Sequence, residues 1–167
     1  MKRRAAFWYQ RFRMAACANI VGMLVWTVTI VIPITPFSYI QPIMVGGGPG
    51  NWFLVGYLLY AAVGVGGFGV FSSFLFAVEI HERRAPSDKI MLAGLILSFI
   101  GVLSSCLLLG IAGFSGGYAI VLEHSTTDIA QNILSPYVNP ITAASLVSVI
   151  GTGTCLYGMA AAKATET

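Results

Sequence analysis

The chain has 167 residues, enough for one domain; 57% are hydrophobic and only 9% are charged. A soluble protein uses about 25% charged residues, so this composition excludes an ordinary soluble enzyme. The net charge of +3 is too small to argue for a nucleic-acid partner. Most of the exterior must therefore meet lipid or other apolar proteins.

In chain order, the first feature is "KRRAAFWYQRFR", in which Lys2, Arg3, Arg4, Arg11 and Arg13 alternate with Phe7, Trp8, Tyr9 and Phe12. Cations suit anionic headgroups and aromatic rings suit the interface, so residues 1–13 read as a cytoplasmic, interfacial N-terminus. An apolar run over about 14–34 follows. It exceeds the ~7–15 residues of a signal-peptide core and no A-x-A site follows it, so it reads as a retained first span. Pro33 and Pro36 should end or kink it. The connection up to Asn51 reads as flexible, and it lacks the Gly-Lys-Ser/Thr of a phosphate-binding loop.

The second span covers about 52–78, with Trp52, Phe53 and Tyr57 marking its outer interface. In the loop "EIHERRAPSDKI", Glu79 and Arg83 are spaced i,i+4, and Ser87 has the place of an N-cap. The third span covers about 90–113. The segment "SGGYAIVLEHSTTDIAQNILSPYVNP" predicts a short interfacial helix, with a capping box at Ser125 to Asp128 and one face made by Ile129, Ile133 and Leu134. Pro136 and Pro140 should close it before a fourth span over about 141–162; the domain of 14–163 then gives way to a tail at 164–167.

None of the four spans contains Asp, Glu, Lys, Arg or His. Each is long enough for the ~20 residues that cross a hydrocarbon core. All nine Lys and Arg residues precede the first span, lie between the second and third, or follow the fourth. The positive-inside rule then predicts a multi-pass protein of the cell membrane with both termini cytoplasmic. The expected fold is all-α: four transmembrane helices in a compact bundle.

Gly64-Val65-Gly66-Gly67-Phe68-Gly69 matches G-x-G-x-x-G, and Asp88 follows 19 residues after Gly69. A nucleotide site needs that motif between a strand and a soluble helix. Here it lies inside a span, where a phosphate would sit in hydrocarbon. No nucleotide is expected. Small residues let transmembrane helices approach closely, so the expected packing positions are Ala62, Gly66, Gly69 and Ser73 in the second span. Gly94, Ser98, Gly101 and Ser105 play that part in the third span, and Thr154, Gly158 and Ala162 in the fourth. The glycines also predict a local bend in the second span.

Chemistry-bearing residues are few. Glu123, His124 and Asp128 form a candidate group for zinc or copper, against which stands a capped, solvated helix start. The second reading is preferred, so no metal and no cofactor is expected. Cys17, Cys106 and Cys155 all lie in spans, which excludes a disulfide framework in the outer loops. Trp26 should pack against a neighbouring helix or a partner, with contact to a quinone or lipid as the sharper alternative. The expected partners are the bilayer and other integral membrane subunits. The function expected is that of a non-catalytic subunit or assembly factor; the alternatives are an oligomeric carrier or channel for a small neutral solute, and a subunit contacting a lipid-soluble cofactor.

"GPGNWFLVGYLLYAAVGVGGFG" at 48–69 and "ILSPYVNPIT" at 133–142 resemble small multi-pass proteins of archaeal energy metabolism. These include accessory subunits of terminal oxidases and of copper membrane monooxygenases. The resemblance implies a respiratory or monooxygenase complex as partner and assigns no functional residue.

Overall fold

In a computed structural model, the structure describes residues 7–46 and 48–164. Lys2, Arg3 and Arg4 and the tail at 165–167 lie outside the described residues. Four helices are long and apolar enough to cross a membrane: Trp8–Val31, Gly50–His81, Asp88–Val121 and Thr127–Ala160. We label the first α1, the third α5 and the fourth α6. The second is built from α3 (Gly50–Leu59), a π-helical stretch (Tyr60–Gly67), α4 (Phe68–Phe76) and a π-helical turn (Ala77–His81). At the glycines, where the sequence predicts a bend, the helix is widened, with i→i+5 bonding.

Helix α1 starts at Trp8, six residues before the predicted span. Its first backbone N–H groups would be orphans in an isolated helix. Glu79 supplies the missing acceptors: its carboxylate takes the N–H of Trp8 at 2.8 Å and of Tyr9 at 3.2 Å. The Trp8 indole donates to Asp88 at 2.8 Å, and the Ser72 hydroxyl donates to the Tyr9 carbonyl at 2.9 Å. With the helix begun so early, Trp8 and Phe12 fall on one face with Ala16 and Asn19 and are buried. Phe12 packs on Phe68 and stacks on Phe71. Both rings therefore belong to the core of the chain. Arg11 lies over the Trp8 ring, 4.3 Å from its centroid.

Replacing Glu79 with Gln keeps the shape and removes the charge that two helix N–H groups share. We expect a loss of about 1–2 kcal/mol, the scale of a lost N-cap. It should appear as a lower unfolding midpoint in detergent, with hydrogen exchange quickened first at Trp8 to Phe12.

At its other end α1 stops at Val31. Ile32 is extended, as the residue before a proline prefers. The connection that follows is not the loose loop expected. It forms a short 3-10 turn (Phe37–Tyr39) and α2 (Ile40–Val45), and Ile40 and Ile43 are buried. Ile43 fits because Gly50 and Gly117 have no side chains: a Cβ on either would collide with it.

Two further expectations change. Helix α5 runs to Val121, beyond the predicted end near 113. The short interfacial helix is instead the opening of α6, which continues through Pro136 and Pro140 to Ala160. Pro136 offers no N–H to the carbonyl of Asn132, and the Ser135 hydroxyl covers that carbonyl at 3.3 Å. The helix start at Asp88 falls where Ser87 suggested, and α6 starts at Thr127 with Thr126, not Ser125, as its N-cap; neither Ser87 nor Thr126 makes a side-chain cap bond.

One end of the molecule gathers the start of α1, the loop after His81 and the residues after α6. There β1 (Arg84–Ala85) pairs antiparallel with β2 (Lys163–Ala164). We call this the terminal end and the opposite one the far end. Helix α6 packs along α5, α3 packs on the far half of α5, and α1 packs on the π-helical stretch and α4.

Candidate functional site: an apolar cavity beside a buried polar pair

The face of α1 that carries Trp8, Phe12 and Ala16 continues to Asn19, which is 2% exposed. The Asn19 amide donates to the Gly64 carbonyl at 2.7 Å, and the Tyr60 hydroxyl donates to Asn19 Oδ1 at 2.9 Å. Both partners belong to the π-helical stretch, whose wider turn presents a carbonyl to a side-chain donor. Two glycines make the room. A Cβ at Gly22 would lie 2.5 Å from the Tyr60 hydroxyl, and one at Gly64 would lie 3.0 Å from the Tyr60 ring. Sequence reasoning missed this pair. The available signal was that Asn19 is the one carboxamide within the four predicted spans.

Beyond Tyr60, toward the far end, the space beside α1 and α5 is half open. Between them lies a cavity of about 640 Å³. Trp26 and Gly22 of α1, Phe37 and Ile40 of the connection, Phe53 and Tyr60 of the second helix, and Leu107, Gly110 and Phe114 of α5 form its walls. Trp26 is held edge-on to Phe53 and Tyr57, with ring centroids 5.6 and 6.0 Å away, and tilted against Tyr60 at 5.9 Å. Its ring covers Gly110, where a Cβ would come within 2.8 Å of it. Trp26 therefore packs as expected against a neighbouring helix while also lining the cavity. Tyr60 joins the buried pair to these hydrocarbon walls, which suit an uncharged molecule.

The small residues singled out by spacing fall into two groups. On α5 and α6, Gly94 lies against Cys155 and the Gly151 carbonyl, and Gly158 against Met91. Gly101 meets the backbone of Ser148, and Gly151 that of Ser98. Ser105 is buried and bonds the Val102 carbonyl, whereas Thr154 bonds the Ile150 carbonyl of its own helix. The second span differs. Ala62, Gly66 and Ser73 are exposed, and a Cβ at Gly69 would meet no atom within 4 Å. Its close contacts inside the chain come instead from Gly56, against the Cys106 carbonyl and Gly110, and from Gly64. The widened turn shifts the helical face between these positions, which four-residue spacing does not anticipate.

Glu123, His124 and Asp128 do not come together as a metal-holding group, and among the described residues no cluster of His, Cys, Asp and Glu does so. His124 instead turns the chain between α5 and α6. Its φ is 52°, and the next N–H, of Ser125, returns to the Ala119 carbonyl at 3.0 Å. The three cysteines are free; Cys106 and Cys155 are buried and Cys17 is exposed. No protein-family model matches this chain, and neither does any curated protein or solved structure.

Proposed function

We propose that the chain is a non-catalytic integral membrane subunit, or assembly factor, of a larger membrane complex. It lies in the cell membrane as a compact four-helix bundle with both termini in the cytoplasm. The observation that carries this reading is the unused face of the second helix. Glycine inside a helix costs about 1 kcal/mol relative to alanine. At Gly56, Gly101, Gly113 and Gly151 the backbone of another helix occupies the space that a side chain would need. At Gly66 and Gly69 nothing among the described residues of the other helices does. A neighbouring helix from another protein accounts for Ala62, Gly66, Gly69 and Ser73 in the way that the close contacts of α5 and α6 account for theirs. The resemblance noted above makes a terminal oxidase or copper membrane monooxygenase the partner class.

Purification in mild detergent tests this reading. A single stoichiometric complex with other membrane proteins is expected. A homo-oligomer that carries a neutral solute across liposomes would favour the carrier instead.

The orientation rests on charge. Arg11, Arg13, Arg83, Arg84, Lys89 and Lys163 all belong to the terminal end, and the sequence of the far end has no Lys or Arg. In a variant lacking the native cysteines, Thr127→Cys should react with an impermeant maleimide on intact cells. Ala85→Cys should react only after permeabilisation. The opposite pattern would reverse the orientation.

A further inference from the structure

We infer that the cavity between α1 and α5 is a binding site for an uncharged, lipid-soluble molecule with a ring carbonyl, of the quinone class. The inference goes beyond the subunit reading and does not rest on it. Three observations converge. First, at about 640 Å³ with walls from three helices, the cavity has the size of small-molecule sites, commonly about 300–1,000 Å³. Its aromatic walls are fixed in advance. Trp26 is braced by Phe53 and Tyr57, and the Tyr60 hydroxyl is tied to Asn19, so little ordering is left for binding to impose. Fixed aromatic faces and edges suit a planar ring.

Second, among the described residues the Trp26 indole N–H has no acceptor. Its carbonyl accepts a bond from Thr29 and its ring touches three others, but the ring nitrogen donates to no atom among the described residues. Indole is a donor only, and Trp26 is half-buried in a span, where a donor facing lipid is costly unless an acceptor reaches it. A carbonyl oxygen of the occupant meets that need.

Third, position and charge narrow the class. Trp26 stands five residues before the end of α1 at Val31, about 7.5 Å along the helix axis. With α1 spanning the membrane, the acceptor sits below the headgroup layer, where a ring carbonyl reaches more readily than the ester of a glycerolipid. Glu123 and Asp128 are the charged residues of the far end, so no cation waits there for an anionic head. A neutral ring with an apolar tail directed between α1 and α5 satisfies all three.

The test uses the purified full chain in detergent and tritiated decylubiquinone as probe. Binding should saturate near one molecule per chain. Decylbenzene, which has the tail and a ring but no carbonyl, should displace it at least tenfold less well, and so should monoolein, which carries an ester. Trp26→Phe should weaken binding roughly 3- to 10-fold, the scale of one hydrogen bond. Ile111 lines the cavity and is 52% exposed, so Ile111→Phe narrows the site without touching Trp26 and should also weaken binding. Helix content and unfolding midpoint report whether either variant still folds. The proposal is overturned by uptake that never saturates, by equal displacement with decylbenzene or monoolein, or by unchanged affinity in folded Trp26→Phe and Ile111→Phe.

Discussion

Gly151→Ala should disrupt the pairing of α5 with α6 and lower the stability of the chain by about 3 kcal/mol, the upper end of the usual overpacking range. The added carbon would fall on the backbone nitrogen of Ser98 and near its hydroxyl. Backbone cannot turn aside as a flexible side chain can, so the helices must separate. The same seam also holds Gly101 against Ser148 and Gly94 against Cys155, and separation loosens those contacts too. In lipid, close contact is most of what holds two helices together, because no hydrophobic drive remains between them. Gly69→Ala is the control, since its added carbon meets nothing within 4 Å among the described residues. Unfolding in a graded detergent series should separate the two variants clearly. Equal midpoints would mean that the α5–α6 contact is not as close as described.

Asn19→Leu should cost about 2–3 kcal/mol although it preserves volume and adds apolar surface. It leaves the Tyr60 hydroxyl and the Gly64 carbonyl without the partners they have at 2.9 and 2.7 Å. Hydrogen bonds between transmembrane helices average about 0.6 kcal/mol, but an orphaned buried group costs about 1–3 kcal/mol. Adding Tyr60→Phe removes one orphan, so the double variant should be less damaged than the sum of the two single ones. Strict additivity in that cycle would show that the two side chains do not act as a pair.

The four spans were legible because hydropathy and length are local properties. Their ends were not. The start of α1 is set by Glu79, 71 residues away in sequence, and no local pattern in "FWYQRF" announces that acceptor. Pro136 and Pro140 read as stops because proline removes a helix N–H, yet α6 passes through both, with Ser135 covering one of the released carbonyls. Ile43 read as part of a loose connection because the glycines that seat it lie 7 and 74 residues further on. Spacing also shows that small residues line a helix without telling which of them meets a neighbour. That depends on the rotation of the helix, and the π-helical stretch from Tyr60 to Gly67 changes the rotation midway through the second span. The cavity was legible only as Trp26, since its walls come from segments far apart in the chain.

The most direct measurement is the mass of the assembly that carries Gly69→Leu, released from the membrane in mild detergent, beside the stability of the same variant alone. If the second helix presents Gly66 and Gly69 to a partner, the wild-type chain runs within a heavier complex containing other membrane proteins. The Leu variant should then run free of it with an unchanged unfolding midpoint. A Leu variant that stays in the complex, or a wild-type chain that never enters one, would contradict the subunit function.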